Sequence, residues 1–506
     1  MLASTVLVAA APLDGGLTWS PYYGLSRTPI QPGVRGIFTP EETASATGGT
    51  SLGYYLAVNG SFHQAALNLS SDAAGALPAL DQVREAYALP YRYLREQLGM
   101  VPREVLIIGA GTGNDVQIAL EHGAESIDVV EIDPVILRWG QEIHPNRPYA
   151  DPRVHLHVDD ARNFLQNTPR RYDLVVFGTL DSQTLLSALS TIRLDNYVYT
   201  VESLAQAKAV LKPSGAVALY FWVGKDWILS RLVGTVEAAF GYPPAVIFPV
   251  HARLFNLILM APATPSQELT SSGPDLGQGH ANIPASTDDW PYLYQQDRSL
   301  SPYYLAMILI LASLSALAVA LTVRAIFPGR PGAWRNFHLP LFLQGAAFLL
   351  LETKGISTLS LLFGSTWTVN AFVIGGILLV ILLANLSVYR LRLRRVFPIW
   401  LGIAASLLVG YAVPTSALLH PDLAVRLTES GLVVLSPIFF SSMLFAILFR
   451  DSADVAWAYG SNLLGSVMGG LAEFGSVVIG FRALNLVALL LYLLVVLSHR
   501  TLSSRS

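Results

Sequence analysis

The sequence predicts an α/β domain built on a mostly parallel sheet, followed by an all-α, multi-pass transmembrane bundle. Three observations predict it. Up to about residue 265, short β-branched runs alternate with helix-period segments, the pattern of strands joined by crossover helices. One such run, VLIIGAGTGNDV (105–116), ends in three glycines at alternate positions. Beyond residue 303 come apolar stretches close to the twenty or so residues needed to cross about 30 Å of hydrocarbon.

Composition bounds the rest. The 506 residues carry a net charge of −3, which gives no support to nucleic-acid binding. The absence of cysteine excludes disulfides, thiolate metal sites and cysteine nucleophiles. Residues 1–16 are a short apolar stretch, too short for a span and lacking the basic start of a signal peptide. We read 17–80 as a small β domain, 81–265 as a nucleoside-binding domain and 266–303 as a linker. The helical bundle runs over 304–498 and a tail over 499–506.

The elements of the nucleoside domain follow in order. Residues 105–108 read as a buried strand, Gly109, Gly111 and Gly113 as the turn after it, and 115–123 as a helix. Glycine is needed where backbone takes positive φ or touches a ligand. The turn lacks a phosphate-loop lysine, which argues against an NTPase. Its G-x-G-x-G spacing favours an S-adenosyl compound over a dinucleotide. SIDVVEIDP (126–134) is a second strand, and its Glu131 stands where a carboxylate can accept both ribose hydroxyls. VHLHVDDAR (154–162) ends in Asp159 and Asp160, either an adenine-amine acceptor pair or a helix N-cap and its neighbour. YDLVVFGTLDSQ (172–183) is a fourth strand running into a loop over the site. AVALYFWV (216–223), after a KPSG turn, is a fifth. All these acids fall at carboxyl ends of strands, where open α/β sheets bind ligands. His63, His155 and His157 lack a third ligand, so no metal is expected.

The apolar half shows about seven candidate spans, near 304–326, 338–361, 367–389, 398–417, 429–449, 456–479 and 482–498. Their loops are asymmetric. One face carries Arg324, Arg330, Arg335, Arg390, Arg392, Arg394, Arg395, Arg450, Arg500 and Arg505; the other carries Arg298, Arg426 and Arg482. The positive-inside rule makes the richer face cytoplasmic. The side of residues 1–300 then follows from whether the number of spans is odd or even. Glu352, Lys354 and Glu473 lie within apolar runs, where charge is costly and marks an ion pair or a functional group. Gly465, Gly469 and Glu473 share one helix face, so close packing there would aim Glu473 into the bundle.

With these motifs in their order, the chain resembles the spermidine synthase (polyamine aminopropyltransferase) family, in its membrane-fused branch, over about residues 17–260. WSPYYGLSRTPI (19–30) and GYYLAVNGSFHQ (53–64) resemble that family's N-terminal β domain. TDDWPYLY (287–294) and GSNLLGSVMGGLAEFG in the bundle resemble the fused branch. The resemblance implies a Rossmann-like AdoMet-methyltransferase fold. It implies a co-substrate, decarboxylated S-adenosylmethionine or S-adenosylmethionine, held by Gln64, Gly109, Gly111, Thr112 and Gly113. Glu131 would bind ribose, and Asp160, with Asp159 beside it, the adenine amine. Tyr87 and Asp181 would serve catalysis under a loop from about 179 to 197. An amine or polyamine acceptor, a lipid bilayer and a homodimer are the implied partners, and a bacterial-type plasma membrane the location.

Two positions depart from the family. Gly178 replaces the first acid of its Asp-x-x-Asp loop, a general base that also binds the polyamine cation. Thr112 replaces an acid of the glycine turn that faces the aminopropyl ammonium. Losing that acid removes an attraction for the decarboxylated co-substrate and a repulsion of the AdoMet carboxylate. Three readings follow: an aminopropyl-type transferase, an AdoMet-dependent methyltransferase relying on proximity and orientation, or a non-catalytic membrane transport protein that senses a nucleoside or polyamine.

Overall fold

The computed structural model describes residues 16–31, 36–45, 51–180, 194–265, 283–326, 337–420 and 422–503. The chain divides into two compact units, Met1–Thr287 and Asp288–Ser506.

The first unit holds two sheets. The smaller is antiparallel, with strands β1 (Thr18–Trp19), β2 (Gly24–Pro29), β3 (Gly53–Val58) and β4 (Ser61–Leu67) in sequence order. Asn59 and Gly60, both at positive φ, turn the β3–β4 hairpin, as a tight hairpin requires. The larger sheet contains β5 (Glu104–Ile108), β6 (Ser126–Glu131), β7 (Val154–Val158), β8 (Tyr172–Phe177), β9 (Leu211–Phe221), β10 (Ala245–Ile247) and β11 (Leu257–Pro262). Its order is β10-β11-β9-β8-β5-β6-β7. The five strands β5 to β9 run parallel, and β11 enters antiparallel between β9 and β10. This is a Rossmann-like sheet, parallel at its centre with an antiparallel strand inserted near one edge. The order reverses between β5 and β8, so a crevice opens at the carboxyl end of β5.

The burial explains the sequence signal. Strands β5, β6 and β8 are buried almost throughout, covered on both faces, and so read as continuous apolar runs. The edge strand β7 is half exposed and alternates His with aliphatic residues. Helices α1 (Pro78–Leu98), α2 (Asn114–Glu121), α3 (Pro134–Ile143), α4 (Ala161–Asn167), α5 (Val201–Ala209) and α6 (Asp226–Phe240) connect or cover the strands. Trp139 and Ile136 of α3 pack on Leu25, Leu56 and Val58, which ties the small sheet to the larger one.

One expected turn is not a turn. The KPSG residues lie inside β9, which begins at Leu211. Pairing with β8 jumps from Tyr172↔Leu211 to Leu174↔Ala216, so these residues bulge out of a continuous strand. Gly215 sits there because a side chain would meet the Tyr172 carbonyl.

In the second unit the helices are α7 (Pro302–Ile326), α8 (Leu339–Phe363), α9 (Trp367–Arg390), α10 (Val396–Ala412), α11 (Leu423–Arg450), α12 (Val455–Ile479) and α13 (Leu484–Ser503). Five of them, α7, α8, α9, α11 and α12, are long and apolar enough to cross a membrane. Helix α10, with 17 residues, reaches only about 25 Å at 1.5 Å per residue. Helices α8 and α12 cross through glycines. A Cβ on Gly465 or Gly469 would collide with the carbonyl of Phe342 or Ala346, and one on Gly345 with that of Asn462. One turn beyond Gly469, the Glu473 side chain meets Thr353 rather than Lys354. Among the described residues, no ion pair joins Glu473 to Lys354. The linker expected over 266–303 ends early, because its last residues pack into the helical unit. Trp290 is buried and its indole donates to the Val477 carbonyl, while the Tyr292 hydroxyl meets Ser476.

Candidate functional site

The glycine turn between β5 and α2 sits at the crevice. Gly109, Gly111 and Gly113 take φ of 67°, 57° and 109°, so all three need the left-handed conformation that glycine supplies cheaply. The Gly109 amide donates to the Val130 carbonyl at 2.8 Å, carrying the β5–β6 ladder past the strand end. Gly113 caps α2.

Two side chains from other elements fix the turn. Glu131, at the end of β6, accepts the Gly111 amide on Oε2 at 2.9 Å and the Asp133 amide on Oε1 at 3.0 Å. Each oxygen keeps a lone pair for another donor, so the carboxylate can still receive two hydroxyls. Burial is the largest influence on this acid and pushes its carboxyl up to about 7, against backbone bonds from Asp133, Gly111 and Ile132 that favour the charge. Gln64, on β4, accepts from the Thr112 amide at 3.0 Å and the Thr112 hydroxyl at 3.2 Å. A Cβ at Gly111 would overlap the Gln64 amide, so glycine there makes room for it.

Asn114 explains why Gln64 reaches the turn. Its amide donates to the Ala65 carbonyl at 2.8 Å and its oxygen accepts the Leu67 amide at 3.1 Å. The two bonds clamp β4 to the start of α2. Tyr149 adds a third restraint, donating its hydroxyl to the Gly111 carbonyl at 2.8 Å. Sequence reasoning missed both residues. Asn114 directly follows the glycines and could have been noticed, but nothing local marks Tyr149, 38 positions from its partner.

The third strand end is also organised. Asp160 caps α4, accepting the Arg162 amide at 2.8 Å and the Asn163 amide at 3.2 Å. Asp159 accepts the Asp160 amide on Oδ1 and the Asn163 side-chain amide across both its oxygens, and burial raises its carboxyl above the usual range. The capping alternative is therefore realised for Asp160, through Oδ1. Its neighbour Asp159 directly follows β7, and its amide donates to the Glu131 carbonyl at the end of β6.

At the fourth strand end, the Gly178 amide donates to the Ile108 carbonyl at 2.9 Å. A Cβ at position 178 would stand 2.8 Å from the Gly109 carbonyl oxygen. Leu180 lies directly over Gly109, where a Cβ would overlap its methyl. Asp181 lies outside the described residues. Thr112 is buried, its hydroxyl turned to Gln64. Tyr87, on α1, is buried with its ring edge-on to Tyr220 and Phe255, at 5.9 and 5.1 Å between centroids. It therefore sits within an aromatic cluster rather than on an open surface.

The histidines are placed elsewhere. His157 meets Asp128 Oδ1 at 2.9 Å, in a network with Arg170 and Tyr172 on the other oxygen. His63 is half-buried, and the desolvation lowers its pKa to about 4. Among the described residues, no group of three His, Cys, Asp or Glu could hold a metal.

Comparison with known proteins gives related sequences and folds. The profile of the spermine/spermidine synthase domain matches residues 96–237. A polyamine aminopropyltransferase from Pectobacterium atrosepticum is 32% identical over 130 residues, covering 24% of this chain and 45% of that protein. Spermidine synthase 2 from Hyoscyamus niger is 39% identical over 84 residues, 16% of this chain and 27% of that one. The chain thus spans less than half the length of these curated relatives. Among solved structures, a probable spermidine synthase from Corynebacterium glutamicum aligns at 17% identity and TM-score 0.36, covering 51% of this chain and 83% of that one.

Proposed function

We infer that this chain, whose residues 96–237 belong to the spermine/spermidine synthase family, is a membrane-bound transferase that uses decarboxylated AdoMet or AdoMet and passes an aminopropyl-type group to an amine acceptor. The observation that carries it is the latch of Glu131 and Gln64 on the glycine turn, which leaves a buried carboxylate with free lone pairs beside bare backbone. A nucleoside is the ligand this suits. Ribose hydroxyls would meet Glu131, and the adenine amine would meet Asp159 or Asp160. The five long apolar helices support residence in a bilayer.

In aminopropyl transfer, an amine lone pair displaces the thioether from the carbon beside the sulfonium. The amine loses a proton, and methylthioadenosine leaves. The loop acid Asp181 is the proton acceptor we assign, with Tyr87 closing the acceptor side. Asp181→Ala should stop turnover and leave nucleoside affinity nearly unchanged; an active variant would remove Asp181 from the mechanism.

Methyl transfer is the second reading, favoured by Thr112 and Gly178, which replace family acids at the cation-facing end. The deciding experiment uses the full chain in detergent, titrated calorimetrically with AdoMet, decarboxylated AdoMet and methylthioadenosine, then assayed for products. Tighter binding of the decarboxylated form with methylthioadenosine release supports aminopropyl transfer. Tighter binding of AdoMet with S-adenosylhomocysteine release overturns it in favour of methyl transfer.

A further inference from the structure

Asp115 is the second residue of α2, two positions beyond Gly113. It is only 8% exposed. Among the described residues, no hydrogen bond or ion pair reaches its carboxylate. That is unusual, because a buried carboxylate without a partner carries a large desolvation cost. Its two neighbours in the turn and helix are fully engaged: Gly113 in capping, Asn114 in clamping β4.

The surroundings are aromatic. Tyr87 and Tyr91 of α1, Tyr149, and Tyr220 of β9 share one buried cluster with Val116, the residue that follows Asp115, and the Asp115 charge acts on each of the four. Tyr220 stacks on Phe255 at 4.5 Å, and Tyr87 stands edge-on to both rings. The Tyr91 hydroxyl is buried and has no hydrogen-bond partner. Tyr149 is also within reach of Glu131, so the aromatic site adjoins the nucleoside acid. A lone carboxylate, an unsatisfied hydroxyl and a wall of aromatic rings match one ligand chemistry. A primary alkylammonium offers three N–H donors and a positive charge, with a methylene chain that packs on rings.

We propose that Asp115 and its tyrosines bind the ammonium end of the amine substrate, in place of the family acids that Thr112 and Gly178 replace. This rests on the transferase reading above. Burial pushes the Asp115 carboxyl up to about 7, so burial alone disfavours its charge, and an arriving ammonium would draw the group to its ionised form. The polarity of the site is thereby moved from the strand-end loop to the first turn of α2.

The test uses the full-length protein in detergent micelles, saturated with methylthioadenosine, and calorimetric titration with 1,4-diaminobutane. The neutral 1,4-butanediol is the control. The wild type should bind the diamine and not the diol. Asp115→Asn should weaken the diamine at least tenfold while keeping methylthioadenosine affinity within twofold. Equal diamine affinity in Asp115→Asn and wild type would overturn the proposal. So would a wild type that holds methylthioadenosine but ignores the diamine, or that takes the diol equally well; neither comparison depends on the variant folding. Failure of the wild type to bind methylthioadenosine would instead overturn the transferase reading, and this inference with it.

Discussion

The Gly111 amide donates to Glu131 Oε2 at 2.9 Å, joining the turn after β5 to the end of β6. The bond fixes backbone and acid as one rigid surface, so nucleoside binding should depend on both. Glu131→Ala deletes the acceptor of two backbone amides and of the proposed ribose hydroxyls. Charge-assisted bonds contribute about 1.5–3 kcal/mol each. Methylthioadenosine affinity measured by calorimetry should fall at least a hundredfold, and unchanged affinity would remove Glu131 from the site.

The same acid predicts a pH profile. Its carboxyl is raised from 4.5 to about 7, chiefly by burial. Because the folded pKa is the higher one, the protonated form stabilises the free protein fully below about 4.5. That contribution is lost as pH rises through about 7. Ligand binding has the opposite sign, since ribose hydroxyls donate to the ionised form. Methylthioadenosine affinity should rise from pH 6 to pH 8, and Glu131→Gln should flatten the profile. A wild-type affinity that falls over this range would contradict the assignment.

Restoring the missing loop acid should fail. At Gly178 a Cβ would stand 2.8 Å from the Gly109 carbonyl oxygen, so Gly178→Asp forces two strand ends apart. Overpacking of this kind costs about 1–3 kcal/mol. We expect a lower melting temperature and no gain in turnover. A stable variant with increased aminopropyl transfer would show that the strand ends yield.

The sheet was legible because strands buried on both faces write themselves as apolar runs, and the turn because three glycines need positive φ. The acids at strand ends followed from topology alone. What sequence could not show was long-range: Asn114 clamping β4, Tyr149 reaching Gly111, and the bulge that hides KPSG inside β9. Each depends on atoms brought together by folding, with no local period to announce them. Asp115 was hidden for a different reason. In sequence it reads as an ordinary first-turn acid, and only burial without a partner sets it apart.

The crossing of α8 and α12 should be intolerant of side chains. Gly465 and Gly469 lie against the Phe342 and Ala346 carbonyls, where a Cβ would overlap the carbonyl oxygen. Close approach of this kind is what small residues permit between apolar helices. Gly469→Leu should separate the two helices and lower the unfolding temperature in detergent by several degrees. Gly460→Leu, where a Cβ meets open space, should not. Equal melting of the two variants would refute the close crossing.

Thr112 tests which co-substrate the turn prefers. Its hydroxyl and amide both donate to Gln64 Oε1, so the turn presents no charge at this position. An aspartate there would repel the carboxylate of AdoMet and attract the lone ammonium of the decarboxylated form. The Gln64 amide would have to rotate and offer its nitrogen to the new acid. That rotation keeps one bond and loses the other, so methylthioadenosine, which lacks both charges, should bind only slightly less well. Thr112→Asp should therefore shift the ratio of decarboxylated AdoMet to AdoMet affinity at least tenfold towards the former, read by paired titrations. A shift of methylthioadenosine affinity as large as that of AdoMet would mean that position 112 shapes the turn and does not face the charged end.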